Sequence, residues 1–398
     1  MRKQTHPTLT RDSNSMIMKY LKTYMDDFDL QFRNTKFMKY LHESLVKTSK
    51  LAQDVTIDET LESITEEYPI NIKSSYYFHE SIVEDIKLNM NMRYKARFMI
   101  HNTFNFMVTI HFNQLQKPNL QKMMHYIKFL LVFSLQHYRN EKGRHDFDIT
   151  FYLSDMKKGI SSGFKNTIES KHINSGFFYY DPTVSTSNIV IFRREEWFKV
   201  LVHECVHCFN LDFQSSKISF RSLMSDTFFV TSSMDMNESF TEFWGRTLNC
   251  AILTYHGIES KSYTDFNHIF SINLNLERIH SMNQAVKLLK VFGLPYSSIV
   301  NPMAQNMTKK LYQESTNAFC YYVVTAILMY HFESSLKWFT NDEYNSISFQ
   351  KTERQIMIFS YYLKQIAKDK GFIQNMEKMS KVRSPIKNMK MALFELEI

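Results

Sequence analysis

The twelve residues Trp197-Phe198-Lys199-Val200-Leu201-Val202-His203-Glu204-Cys205-Val206-His207-Cys208 restrict the fold more than any other stretch. With helical geometry of roughly 100° per residue, Phe198, Val202, Cys205 and Phe209 form an apolar stripe that presses into a core. His203 and His207 lie about 40° apart on the other side, so both imidazoles can reach one cation. Glu204 sits about 100° round from His203, close enough to address a water beside that cation without taking a ligand position. A helix with one packing side and one metal-facing side has to lie between a core and a cleft. Cys205 belongs to the rear stripe, and Cys208 is turned about 140° from His203, so neither thiol is expected at the metal.

The His-Glu-x-x-His pattern is short. In a chain with 15 His its chance occurrence is on the order of a few per cent, which leaves two surface histidines beside a helical Glu as the alternative. Thirty residues separate His207 from Glu238, in the run Asn237-Glu238-Ser239-Phe240-Thr241-Glu242-Phe243-Trp244-Gly245. In a helix, Glu238 and Glu242 share a face with Gly245, while Phe240, Trp244 and Thr247 point away. A glycine on the carboxylate face lets another helix come close. Catalytic zinc sites use three protein ligands and leave the fourth position to water, and two His with one Glu is such a set. Zn2+ is therefore the expected cofactor, with His203, His207 and Glu238 as ligands. A solvated helix face is the competing explanation for Glu238 and Glu242.

The Asn-Glu-x-x-Thr-Glu arrangement after His-Glu-x-x-His resembles the Asn-Glu-x-x-Ser-Asp motif of the thermolysin-like gluzincin metallopeptidases, over about fifty residues, 195–245. The resemblance implies that Glu238 is the third ligand, that Asn237 supports His207 and that Glu242 supports His203. It further implies that Glu204 is the general base of a zinc peptidase acting on peptide or protein substrates. Two features depart from the family: the linker is longer, and Glu242 stands where the family has aspartate. By the same resemblance, Ile173 to Tyr179 is an edge strand along the cleft, to which an extended peptide can add, with Asn174 and Gly176 as contacts. A plain hairpin edge without a ligand is the alternative. A hydrogen-bond donor for the developing oxyanion is expected from the distal lobe. Tyr321 and Tyr322 come first, with His256 and His280 in reserve and core packing as the alternative for each tyrosine. The run from Ile173 through Ile189–Phe192 into the zinc helix is also similar, loosely, to uncharacterised predicted metallopeptidases of large DNA viruses, which admits a virion setting.

Only 8 Gly and 7 Pro stand against 34 Phe, 22 Tyr and 24 Met, a balance that favours long helices over many turns, although an AT-rich coding sequence would produce part of it. The expected fold is α+β and mostly helical: a zincin-like metallopeptidase with a small mixed-sheet lobe, an active-site helix and a helical C-terminal lobe. Apolar spacing in Met18, Leu21, Met25, Phe28 and again Phe37, Met38, Leu41, Leu45 predicts a helical N-terminal extension over 1–88. Residues 89–211 form the α+β lobe. Within it, strands are expected at 96–100 and 104–112 around a turn at His101-Asn102-Thr103, then at 147–153, 175–180 and 188–192. Helices are expected at 120–138 and from about Arg194. Residues 212–398 form the helical lobe carrying Glu238, with periodic segments at 236–256, 273–291, 305–338 and 350–368.

The net charge of +8 permits acidic partners, but Lys and Arg are scattered, so nucleic-acid association stays open only on overall charge. The densest basic stretch, Lys378 to Lys390 with Lys381, Arg383 and Lys387 between, reads as a charged tail. Met1-Arg2-Lys3 and the polar run after it lack the apolar region of a secretory signal, and Phe319 to Tyr330 is too short to span a bilayer, which needs about 20 residues. Four cysteines make no disulfide framework, so a reducing, cytoplasm-like compartment is expected. Two other functions compete with catalysis: a zinc-containing structural or interaction protein, and a basic nucleic-acid-associated protein. The sequence does not fix the oligomeric state.

Overall fold

The computed structural model describes residues 6–24, 35–64, 78–138, 143–160, 167–213, 219–340, 346–347, 352–382 and 388–398. Six strands, β1 (Asp58–Ser63), β2 (Met92–Ile100), β3 (Phe104–Phe112), β4 (Asp146–Tyr152), β5 (Gly176–Asp181) and β6 (Thr186–Ile191), form one mixed sheet in the order β1-β2-β3-β4-β6-β5. The β3–β4 and β4–β6 pairs are parallel, and the other three are antiparallel. Alternation sets the faces: Tyr94, Ala96, Phe98 and Ile100 of β2, Phe106, Val108 and Ile110 of β3, Phe147, Ile149 and Phe151 of β4, and Ile189 and Ile191 of β6 are all buried. The hairpin between β2 and β3 turns through His101 and Asn102, both with positive φ.

Helices dominate the rest: α1 (Arg11–Tyr24), α2 (Thr35–Gln53), α3 (Glu80–Asn89), α4 (Leu120–His137), α5 (Ser170–Ile173), α6 (Trp197–Cys208), α7 (Phe220–Met224), α8 (Met236–Gly257), α9 (Tyr263–Val291), α10 (Tyr296–Ile299), α11 (Gln305–Leu311), α12 (Thr325–Tyr330), α13 (Phe332–Phe339), α14 (Glu353–Ala367) and α15 (Lys370–Ser380). A π-helical turn at Phe319–Val324 runs directly into α12. The fold is thus α+β and mostly helical around a mixed sheet. Helices α4 and α6 pack on one sheet face through ring contacts such as Tyr126–Phe198 at 5.3 Å, Phe147–Phe209 at 5.1 Å and Phe151–Trp197 at 5.9 Å. On the other face, Ile82, Val83 and Ile86 of α3 join Phe78 and Phe192 in a smaller cluster. One large core runs from the sheet through α6 and α8 into the C-terminal helices. No helix among the described residues is long and apolar enough to cross a membrane.

Two expectations need correction. The segment 1–88 is not a purely helical extension: Asp58–Ser63 adds to the sheet as edge strand β1, registered on β2 with Glu62 bonded to Arg93. Helices α1 and α2 are also part of the main core, with Tyr20 on His280 and Phe37 on Trp244. The second correction concerns the basic C-terminal stretch. Lys390 is only 3% exposed, and residues 389–396 are buried. Their backbone is held by side chains: Ala392 N–H donates to Glu196 Oε1 and Leu393 N–H to Glu277 Oε2. Leu396 C=O accepts from Trp197 Nε1–H. An irregular segment can be buried only when its polar groups are met in this way. Arg383 and Lys387 lie outside the described residues, as does the start of the chain at 1–5.

Candidate metal centre

Helix α6 begins at Trp197 rather than Arg194, because Glu196 before it takes a left-handed conformation with φ 56°. All twelve α6 residues are buried, sheet on one side and α8 on the other. The two helices meet at Gly245, where an added Cβ would stand 3.5 Å from His203 Cβ and 3.6 Å from Lys199 Cε. Helix α8 starts on Asp235, whose carboxylate accepts from Asn237 N–H, and this puts Glu238 in the first turn, facing both imidazoles.

One ligand atom each from His203, His207 and Glu238 lies within 4.8 Å of the other two. Glu238 Oε2 is 3.3 Å from His203 Nε2 and 3.5 Å from His207 Nε2. That oxygen is buried, yet it makes no hydrogen bond of acceptable geometry to any described group. A buried carboxylate oxygen costs free energy without a partner, and three lone pairs converging on one point give it a partner if a cation sits there. These residues could hold a metal ion.

Each imidazole is gripped from behind. His203 Nδ1 lies 3.1 Å from Glu242 Oε2, and His207 Nδ1 contacts Asp212 Oδ2. A carboxylate that accepts Nδ1–H fixes the tautomer and leaves the Nε2 lone pair for a cation. Glu242 is fully buried and is itself held, by Lys199 Nζ at Oε2 and by Arg246 Nε at Oε1, 2.9 Å away. Burial works against its charge, but Lys199 and Arg246 outweigh it and hold the carboxyl well below the usual range. Glu238 behaves likewise: burial opposes the carboxylate, and the two histidines more than compensate. Glu204 differs. Burial pushes its pKa up, His203 and His207 pull it back only in part, and Glu238 adds to the rise.

No family model, curated protein or solved structure matches this chain.

Asn237 does not reach His207 itself. Its Nδ2–H donates to Asp212 Oδ2 at 3.2 Å and its Oδ1 accepts from Phe213 N–H, so it acts through Asp212. The chain turns after α6 through Asn210, at φ 54°, and this turn inserts the Asp212 carboxylate between Asn237 and the imidazole. Glu242 occupies the place expected of it. Gly176 opens β5 against α6: a Cβ there would stand 2.8 Å from Val200 Cγ1, 3.0 Å from the Val190 carbonyl oxygen and 3.3 Å from Glu204 Oε1. Asn174 bridges the two halves, its Oδ1 accepting from Thr316 Oγ1 at 3.1 Å and its carbonyl from Arg193 Nε at 2.9 Å.

The two tyrosines separate. Tyr321 lines the cleft with His203 and Glu204, its ring centroid 6.0 Å from that of His203. Tyr322 is a core residue whose hydroxyl donates to the Met389 carbonyl at 2.6 Å. His280 spends both nitrogens elsewhere, on Tyr20 OH and the Lys390 carbonyl, and His256 packs on His125 and Phe129. The reserve histidines are therefore not brought to the site. Three residues escaped the sequence reading. Arg246 had a signal, four residues after Glu242 on one helix, and so did Lys199, four before His203. Asp212, in an irregular turn, had none. All four cysteines are buried free thiols away from the three converging atoms.

Proposed function

We propose that the chain is a zinc-dependent peptidase of zincin-like architecture that hydrolyses peptide bonds with Glu204 as general base. The observation that carries this reading is the convergence of His203 Nε2, His207 Nε2 and a hydrogen-bond-orphaned Glu238 oxygen, with Glu204 beside them and outside the ligand set. Two imidazole nitrogens and one carboxylate oxygen suit Zn2+. When bound, that ion supplies Lewis acidity toward a water and a carbonyl oxygen.

The remaining chemistry belongs to the chain. Glu204, with its carboxyl raised by burial, accepts a proton from the attacking water and returns it to the leaving amine nitrogen. Its Oε1 lies against β5, so base and edge strand address the same place. Strand β5 closes the sheet order and pairs with β6 on one side only among the described residues, which leaves backbone groups for an extended substrate. Tyr321 lines the cleft near His203, and its hydroxyl is the donor we assign to the oxyanion. Glu242 and Asp212 hold the imidazole tautomers through the cycle.

A purely structural zinc calls for a fourth protein ligand, and among the described residues only three groups converge. The test is Glu204→Gln. The variant is expected to retain one zinc per chain and to lose peptide cleavage; full cleavage by a zinc-loaded sample rejects Glu204 as base.

A further inference from the structure

The cleft that Glu204 and Tyr321 line is also lined by Lys158, Ser175, Lys199 and Met391. It measures about 30 Å³, room for about two waters, since one occupies on the order of 10–15 Å³ in the same terms. Its walls are rich in donors. Lys158 Nζ is 2.9 Å from Glu196 Oε2, and that pair is virtually inaccessible, with side chains 1% and 0% exposed. Lys199 Nζ meets Glu242 Oε2 and, at 3.5 Å, the Met391 sulfur. An ammonium carries three N–H donors, so each lysine has at least one left over. Ser175 Oγ is buried and makes no hydrogen bond to a described group. Two of the nearby carboxylates are already engaged, Glu242 at both oxygens and Glu196 by Lys158 and the Ala392 N–H, and the third, Glu204, lines the same cleft.

Two buried ammonium groups and a spare hydroxyl around a space for two oxygen atoms call for a bidentate anion. We propose that this cavity is a specificity pocket for a carboxylate of the substrate, either an acidic side chain beside the cleaved bond or a free C-terminus. The inference rests on the peptidase reading, because Glu204 and Gly176 line the same cavity. Val200 and Met391 supply the apolar part of the lining.

The experiment uses the zinc-loaded full chain and matched peptides with Glu, Gln, Leu or Lys at each position flanking the cleaved bond, every peptide made with a free and with an amidated C-terminus. The expected result is a kcat/KM at least tenfold higher for Glu than for Gln, Leu or Lys at one flanking position; a tenfold preference for the free terminus instead assigns the pocket to the chain end. Cleavage within threefold across the whole set overturns the proposal while leaving the peptidase reading intact. Failure to cleave any peptide counts against the peptidase reading, and the pocket is then judged by calorimetry with N-acetylglutamate and N-acetylglutamine on the same protein: selective binding of the glutamate sustains it, and equal or absent binding overturns it. The paired variant Lys158→Met with Glu196→Gln removes one ammonium without stranding its carboxylate. It should lower the Glu preference over Leu at least fivefold with zinc content unchanged; an undiminished preference overturns the role of Lys158.

Discussion

Replacing Gly176 by alanine separates substrate alignment from metal binding. The new methyl would lie 2.8 Å from Val200 Cγ1 and 3.0 Å from the Val190 carbonyl oxygen, the latter part of the β6 backbone and unable to rotate away. Carbon contacts are comfortable at about 3.5 Å, so β5 has to retreat by roughly 0.7 Å. Overpacking of this kind costs about 1–3 kcal/mol of stability, and a displacement near 1 Å at a positioning element costs up to about 100-fold in rate. None of the three converging atoms is touched. Gly176→Ala is therefore expected to bind zinc as tightly as the parent, to lose about 1–3 kcal/mol in denaturant unfolding, and to fall about 10- to 100-fold in kcat/KM. Metal titration, urea unfolding and peptide kinetics on one preparation read all three. Parental stability together with parental kcat/KM would refute the argument that β5 lies against the base and aligns the substrate.

Glu242→Gln keeps an acceptor near His203 but strands two buried cations, so zinc affinity should fall about 10- to 100-fold, together with about 3–5 kcal/mol of stability; competition with a chromogenic chelator and chemical unfolding measure the two. Tyr321→Phe should lower kcat by about 100-fold or more with zinc content unchanged, whereas Tyr322→Phe should leave kinetics alone and cost about 1–3 kcal/mol by abandoning the buried Met389 carbonyl. Burial pushes the Glu277 carboxyl up to about 7, with Arg246 pulling against it. A carboxyl raised in the folded state holds its proton longer than in the unfolded chain, so that proton-linked stability is complete below about pH 4.5 and lost as pH climbs through about 7, a span worth about 3 kcal/mol at most. Glu277→Gln should thus gain stability over the parent progressively between those values in pH-dependent unfolding, and a constant difference would contradict the assignment.

What the sequence revealed follows from how each signal is written. Helices α6 and α8 could be found because their side chains obey one helical period, and the same period brings His203, His207, Glu238 and Glu242 to the right faces. Strands β2 to β6 showed in alternating or continuous apolar runs. Strand β1 could not: Asp58–Ser63 reads DETLES, nearly all exposed, and it owes its place to pairing with β2 rather than to a buried face. Asp212 was hidden because an irregular turn, not a period, delivers it. Tyr321 and Tyr322 could not be told apart, because they sit in a π-helical turn where the ordinary angular spacing fails. The burial of Lys390 was invisible for another reason: its partners Glu195 and Glu395 belong to α6's approach and to the C-terminal segment, and only the tertiary fold joins them.

X-ray absorption at the zinc edge of the zinc-loaded full chain addresses the metal centre most directly. Two imidazole nitrogens at about 2.0–2.1 Å, a carboxylate oxygen and one further light atom from solvent are expected, with the carboxylate contribution lost in Glu238→Ala. A sulfur scatterer at about 2.3 Å, or a spectrum unchanged by Glu238→Ala, would contradict the His203–His207–Glu238 site.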